Sequence, residues 1–167
     1  MEIFRNKRLW IENSIVNLPD GVASERVVIH PGDAIAILPI IDKEKILLIH
    51  QYRTAINQYI YEVPAGIIDP NETPIEAARR ELAEETSMIA NTITPRGFIY
   101  TTPGISDEKI WLFEARELTH TDKFEKEIGE VIEVETMKME EIKNMILNGG
   151  ICDAKTICLI YKCIGGY

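Results

Sequence analysis

The sequence predicts a single domain of the α+β class, and three observations support this prediction. Runs of β-branched and aromatic residues fill the first half of the chain, whereas clear helical periodicity begins only after residue 73. At 167 residues the chain is long enough for one hydrophobic core and short for two. Its 46% hydrophobic and 27% charged residues are the ordinary balance of a soluble globular domain.

The predicted strands are separated by residues that favour turns. Turn-forming residues at 18–21 and a polar tetrapeptide at 42–45 interrupt the apolar runs. The run at 34–41 is apolar almost throughout, as expected of a strand that is covered on both faces. The predicted strands are 8–16, 24–29, 34–41, 46–52 and 59–63, followed by 97–101, 110–115 and 130–134.

The helix predicted from Pro74 to about Thr86 has the strongest start signal. Thr73 is a favourable N-cap, Pro74 suits the first helical position, and Glu76 stands three residues after the cap, where it completes a capping box. Two further helices are predicted at 139–147 and 154–163. The apolar stripe of the first helix is predicted to comprise Ile75, Ala78 and Leu82.

Charge and hydropathy exclude several classes of function. A formal net charge of −9 argues against a nucleic-acid-binding surface, which needs positive charge to replace released counterions. No run approaches the roughly 20 apolar residues of a membrane helix, and the N-terminus lacks a signal-like segment. Three cysteines favour reduced thiols over a disulfide framework. The expected location is the cytoplasm, with a small-molecule ligand and neither membrane nor nucleic acid as partner.

The first predicted helix carries an unusual concentration of acidic groups. Glu81, Glu84 and Glu85 fall within an arc of about 100°, where each like-charge pair costs about 0.2–0.5 kcal/mol. A divalent cation would offset that cost, because magnesium prefers carboxylate, phosphate and water oxygens. On these three residues alone, a solvated acidic face balanced by Arg79 and Arg80 is the simpler interpretation.

The spacing of residues around these glutamates favours the metal site over the solvated acidic face. It follows the pattern G-x5-E-x7-R-E-U-x-E-E, where U is a bulky aliphatic residue. This pattern resembles the box that defines the Nudix family of metal-dependent hydrolases. Ser87 stands where the box has glycine, and a serine in the left-handed conformation expected there costs about 1 kcal/mol. The residues that carry the resemblance are Gly66, Glu72, Arg80, Glu81, Leu82, Glu84, Glu85 and Met88.

The resemblance implies a fold and a metal site. The implied fold is an α/β/α sandwich with a mixed central sheet. Arg80 would orient the carboxylates, Glu72 would lie at the rim of the site, and Gly66 would let the preceding loop approach the helix. Mg²⁺ is the implied ion, with Mn²⁺ as the alternative. Its implied ligands are Glu81, Glu84, Glu85 and the backbone carbonyl of Ala65.

Residues that flank the box resemble the ADP-ribose pyrophosphatase branch of the family. The branch hydrolyses the pyrophosphate of ADP-ribose to AMP and ribose 5-phosphate. The same catalyst acting on a sugar nucleotide, NADH or a dinucleotide polyphosphate remains an alternative, as does a Nudix module that binds nucleotides without hydrolysing them. The features that carry this resemblance are Gln51-Tyr52-Arg53, Glu62-Val63-Pro64 and Pro103-Gly104, and the implied substrate-binding residues are Arg53, Glu62, Pro103 and Gly104.

The branch also implies a general base and an oligomeric state. The base would be a glutamate of the acidic loop at 122–130, with Glu127 favoured over Glu130. Residues 1–30 would form an N-terminal strand extension that packs on the partner in a two-fold homodimer, and residues 31–167 would form the hydrolase domain. The three histidines, His30, His50 and His120, are expected to have structural roles.

Overall fold

The computed structural model describes residues 1–122 and 132–164. It confirms an α+β fold with ten strands and three helices in those ranges. Glu127 and Glu130, the two candidates for the general base, lie outside the described residues. All three cysteines carry free thiols. Among the described residues, no helix is both long enough and apolar enough to cross a membrane.

The N-terminal strands form a sheet of their own. Strands β1 (Glu2–Arg5), β2 (Trp10–Asn17) and β3 (Ala23–His30) pair antiparallel in the order β1-β2-β3. The sequence predicted β2 and β3 but not β1, which has four exposed residues and no apolar period. A parallel bridge between Ile29 and Ser106 connects this sheet to the rest of the fold.

A four-stranded mixed sheet forms the centre of the molecule, in the order β7-β4-β9-β8. Strands β4 and β9 run parallel, and the other two pairings are antiparallel. The prediction at 97–101 found only the end of β8, because a single residue of that strand is buried and its apolar signal is weak. The strands are β4 (Ala34–Pro39), β7 (Ala65–Ile67), β8 (Met88–Tyr100) and β9 (Lys109–His120).

A third sheet and two helices complete the sandwich. The sheet is antiparallel in the order β10-β5-β6, and β5 is its central strand. Its strands are β5 (Lys45–Arg53), β6 (Gln58–Glu62) and β10 (Ile132–Lys138), and the helices that follow β10 are α2 (Met139–Asn148) and α3 (Ala154–Ile164).

Strand β4 is buried on both faces, as its apolar run predicted. Its odd-numbered residues Ile35 and Ile37 pack with helix α1 (Pro74–Thr86) in one core cluster. Its even-numbered residues Ala36 and Leu38 belong to the other cluster, with residues of β5, α2 and α3. Because successive side chains of a strand point to opposite faces, one strand supplies both cores of the sandwich.

Helix α1 begins with the predicted capping box. The Glu76 backbone N–H donates to Thr73 Oγ1, and the Thr73 N–H donates to the Glu76 carboxylate. The prediction that Ile75 lies on the buried stripe is wrong, because that side chain is 37% exposed. The helix packs on the sheet through Ala77, Ala78 and Leu82, so its buried arc is centred away from Ile75.

Ser87 ends helix α1 in the left-handed conformation that the box glycine was expected to adopt. Its φ is 55° and its ψ is 30°, and its N–H donates to the carbonyl of Ala83 at 2.9 Å. Serine in place of glycine therefore leaves the helix end in its expected geometry and introduces local strain.

Relief of this strain predicts that Ser87→Gly stabilises the protein. We expect the free energy of unfolding in urea to rise by about 0.5–1 kcal/mol, since glycine adopts positive φ without a steric penalty. Ser14→Gly, in strand β2 where φ is not positive, is the control and should destabilise. A loss of stability in Ser87→Gly would contradict the strain argument.

Candidate active site

A cleft of about 960 Å³ lies between the polar face of α1 and the N-terminal sheet. Helix α1 contributes Arg80, Glu81 and Glu84 to its lining. Strand β7 and the end of β5 add backbone and side-chain groups, including Arg53, and the β1–β2 turn supplies the facing wall at residues 5–10. The cleft therefore brings the acidic helix together with one of the predicted phosphate-binding residues.

Arg80 occupies the centre of the polar network on this wall. Its guanidinium donates to both oxygens of Glu72, at 3.0 and 2.9 Å, and to the carbonyl of Ile67 at 3.0 Å. It also donates to Glu81 at 2.7 Å and to Glu84 at 3.1 Å. Hydrogen bonding to Glu72 raises the pKa of Arg80, and the same bonds lower the pKa of Glu72. One cation thus offsets much of the repulsion between the helix carboxylates.

The turn into strand β7 is fitted closely against the helix. The Ala65 N–H donates to Glu85 Oε2 at 2.9 Å, and Glu85 is only 4% exposed. A Cβ atom at Gly66 would lie 1.8 Å from Glu81 Oε1, so any side chain at that position would displace the Glu81 carboxylate. Only glycine at this position is compatible with the Glu81 carboxylate where it lies here, which agrees with the close approach of loop and helix that the resemblance implied.

The three helix carboxylates are held by different partners. Arg80 holds Glu81 and Glu84, while the Ala65 amide holds Glu85. Their oxygens do not form a group within 4.8 Å of one another; in the described ranges, the one such group comprises His50, Glu133 and Glu135. His50 and Arg53 point to opposite faces of β5, so that group lies away from the cleft.

Ring stacking, hydrogen bonding and exposure to solvent explain the cluster of His50, Glu133 and Glu135 without a metal ion. Tyr61 stacks on His50, with ring centroids 4.4 Å apart, and its hydroxyl donates to Glu135 at 3.2 Å. Glu133 is exposed to solvent. On α1, by contrast, the donor set consists entirely of carboxylate oxygens beside the backbone of β7, a set whose chemistry fits a hard divalent cation.

The predicted substrate residues fall into two groups. Arg53 and Glu62 lie together, and Arg53 Nε donates to Glu62 Oε2 at 2.9 Å. Burial opposes the charge on Arg53, but hydrogen bonding and attraction to Glu62 outweigh it and raise the pKa of Arg53. Pro103 and Gly104 line a separate pocket of about 260 Å³. Asp107 lines both cavities, so Arg53 and the Pro103–Gly104 turn line neighbouring cavities, while Glu62 is buried beside Arg53.

The facing wall contains residues to which the sequence assigned no role in the cleft. Trp10 stacks on His30 with ring centroids 3.7 Å apart, and Arg5 lies 5.0 Å from the centre of the Trp10 ring. His30 Nδ1 lies 2.7 Å from Asp107 Oδ2. These side chains come from separate strands and a loop, so no local pattern in the sequence indicates that they meet. His30 also lines the cleft, and its structural role stays a prediction.

Comparisons with known proteins give one family match and several similar proteins. Residues 30–159 match the family model of the NUDIX domain. The chain is 36% identical to the ADP-ribose pyrophosphatase of Bacillus subtilis (strain 168) over 157 residues, which cover 93% of this chain and 84% of that protein. It is 32% identical to the methanol dehydrogenase activator of Bacillus methanolicus over 164 residues, which cover 95% and 86% of the two proteins. A crystal structure of an ADP compounds hydrolase, 22% identical in sequence, has the same fold, with a TM-score of 0.85 over 98% of this chain and 88% of that chain.

The Arg80 network predicts a pH-dependent loss of stability in Arg80→Met. At pH 7 the variant should lose about 2 kcal/mol of unfolding free energy, because largely buried carboxylates lose their cation. Glu72 has a lowered pKa when folded, so its contribution is present above the ordinary glutamate pKa and is lost as the pH falls through the lowered one. The difference from wild type should therefore shrink below a pH of about 4.5.

Urea unfolding at neutral and acidic pH measures this difference. Arg79→Met is the matched control, because the neighbouring Arg79 is exposed and donates to the carbonyl of Ala90. Its loss should be smaller and nearly independent of pH. An Arg80→Met deficit that stays constant on acidification would show that the carboxylate pairing is not the source of the stability.

Proposed function

This chain belongs to the Nudix family, and we propose that it hydrolyses the pyrophosphate bond of ADP-ribose to AMP and ribose 5-phosphate. The observation that carries the proposal is the single cleft in which Arg53 lies with the glutamates of α1. Its volume of about 960 Å³ suits a ligand of nucleotide size. The name of the Bacillus subtilis relative, which matches 93% of this chain, supports ADP-ribose as the substrate.

We propose that Mg²⁺, or Mn²⁺ in its place, binds the carboxylates of α1 and the carbonyl of Ala65. The ligands would be Glu81, Glu84 and Glu85, whose oxygens fit such ions. When bound, the ion neutralises charge on the phosphate oxygens and lowers the pKa of a coordinated water. Arg80 supports this role because its hydrogen bonds fix the orientation of two of the three carboxylates.

The remaining substrate contacts are assigned by chemistry and position. The Arg53 guanidinium can donate two hydrogen bonds to one phosphate group, and Glu62 holds it at the edge of the cleft. Pro103 and Gly104 are proposed to shape the neighbouring pocket for the ribose-phosphate part of the ligand. Asp107 lines both cavities, which supports a ligand that extends from one to the other.

Glu127 is proposed as the base that accepts the proton of the attacking water, with Glu130 as the alternative. Both precede β10, whose first residue Ile132 pairs with Gln51 on the neighbouring strand. Gln51 is two residues from Arg53, so Ile132, which follows both candidates in the sequence, pairs within two residues of a side chain that lines the cleft. This proximity supports an acidic residue of that segment as the base.

Residues 1–30 are proposed to form a strand extension of the hydrolase domain at 31–167 and to pack on a second copy in a homodimer. The N-terminal sheet leaves Ile15 77% exposed and Val27 48% exposed, and apolar side chains on a sheet are favoured at an interface. Ile15 and Val27 lie on the face of this sheet opposite Trp10 and His30, so a partner packed there would cover the outer side of one wall of the cleft. Light scattering at micromolar concentration tests this assignment.

A substrate panel tests the proposed reaction. Purified protein with Mg²⁺ is given ADP-ribose, a sugar nucleotide, NADH or a dinucleotide polyphosphate, and products are measured as phosphate after phosphatase treatment. We expect kcat/KM for ADP-ribose to exceed the others by at least about tenfold, since each missing buried polar contact costs about that factor. A higher value for another compound would reassign the substrate, and binding without turnover would identify a non-hydrolysing module.

Removal of one proposed ligand should abolish most turnover. Glu85→Gln keeps the shape of the side chain and removes its charge, and we expect kcat to fall by about 10³-fold or more. Glu140→Gln, an exposed residue of α2, is the control and should retain wild-type kcat. Circular dichroism checks that both variants are folded. Near-normal turnover in Glu85→Gln would exclude Glu85 from the metal site.

A further inference from the structure

We propose that Lys155 is a positioning residue, which keeps the charge of Arg53 available to ligand phosphates by sharing the buried carboxylate of Glu62. The juxtaposition that carries this inference is one carboxylate between two cations, one at the cleft and one behind it. The inference rests on the proposed function of the cleft, in which Arg53 binds phosphate.

The two oxygens of Glu62 have different cationic partners. Arg53 donates to Oε2, and Lys155 Nζ donates to Oε1 at 3.1 Å. The Glu62 side chain is 3% exposed and that of Lys155 is 12% exposed, whereas Arg53 is 37% exposed at the cleft. Lys155 Nζ also lies 3.1 Å from Asp153 Oδ1. The four groups therefore form a chain of alternating charge that runs from the cleft through the buried Glu62 to the start of α3.

Helix α3 anchors the end of this chain that is remote from the cleft. The Asp153 carboxylate accepts from the Thr156 N–H at 2.9 Å and from its hydroxyl at 2.6 Å, and thereby caps the helix. The same hydroxyl oxygen accepts the Val63 N–H at 2.8 Å, and Thr156 is fully buried. The start of α3 is thus bonded to two consecutive residues, Glu62 and Val63, just before the backbone reaches Ala65.

The position of Lys155 in its own helix favours a role outside that helix. It is the second residue of α3, at the positive end of the helix dipole, where a lysine is unfavourable. The first turn of α3 contains no acidic residue that would compensate it. Its compensation comes from Glu62, 93 positions away in the sequence, and from the capping Asp153. The lysine is therefore explained by the carboxylate it contacts and not by the stability of α3.

A buried carboxylate needs its charge balanced, and this determines what Arg53 can do. With Lys155 present, Glu62 is compensated from behind and holds Arg53 through a single oxygen. The described bonds use Nε and Nη2 of Arg53, which leaves Nη1 available for a phosphate. Without Lys155, both oxygens of Glu62 would draw on Arg53 alone, so the guanidinium would be less available to the ligand. The effect falls on substrate binding more than on the chemical step.

Three variants separate positioning from simple structural support. Lys155→Met keeps the length of the side chain and removes its charge, and we expect KM for ADP-ribose to rise about tenfold while kcat stays within about twofold. Lys155→Arg keeps the charge and should restore KM to within about threefold of wild type. Lys162→Met, an exposed lysine of the same helix, should leave both constants unchanged. A fall in kcat as large as the rise in KM, without rescue by Lys155→Arg, would overturn the proposal.

A double variant tests whether Lys155 acts through Arg53. If it does, adding Lys155→Met to Arg53→Gln should raise KM no further than Arg53→Gln alone. Additive effects of the two substitutions would overturn the proposal.

The ¹H–¹⁵N resonance of Arg53 Nε supplies a reading that is independent of any substrate. It should shift in Lys155→Met and stay in place in Lys162→Met. Failure of the wild type to hydrolyse ADP-ribose would count against the proposed function alone, and this resonance would then decide the inference. An unchanged Nε resonance in Lys155→Met would overturn the inference about Lys155, whether or not the wild type hydrolyses ADP-ribose.

Discussion

The site depends on the position of one guanidinium group, that of Arg80. It joins the segment before α1 to the polar face of the helix through Glu72 and the carbonyl of Ile67, and it extends to Glu81 and Glu84. The repulsion expected from crowded glutamates is therefore reduced within the protein itself. The carboxylates are aligned by a permanent cation, so a divalent ion bound there as proposed would meet side chains whose conformational freedom is already restricted.

Local interactions explain which parts of the fold the sequence predicted. Helix α1 was found because Thr73, Pro74 and Glu76 act within one turn, where spacing in the sequence equals spacing in the structure. Strand β7 was not predicted, because its three residues are defined by pairing with β4 and carry no period of their own. Strand β8 was found only at its end, since its pairing with β9 and not its burial makes it a strand.

In the candidate site, too, the sequence predicted the local features and missed the contacts between distant parts of the chain. The box residues were located because they occupy one helix and the loop before it. The contact between Glu62 and Lys155 spans 93 positions, and no periodicity in the sequence indicates such a pair. The stack of Trp10 on His30 likewise depends on the pairing of β2 with β3. Both networks act on Arg53 or on the cleft it lines, so distant parts of the chain determine the surroundings of residues that the local motif identifies.

The anomalous signal of manganese, in crystals grown with Mn²⁺ and a non-hydrolysable ADP-ribose analogue, tests the proposed metal site directly. We expect manganese peaks among the carboxylates of Glu81, Glu84 and Glu85, with the pyrophosphate of the analogue between those peaks and Arg53. Manganese bound at His50, Glu133 and Glu135, with the α1 glutamates facing water and the analogue elsewhere, would contradict it.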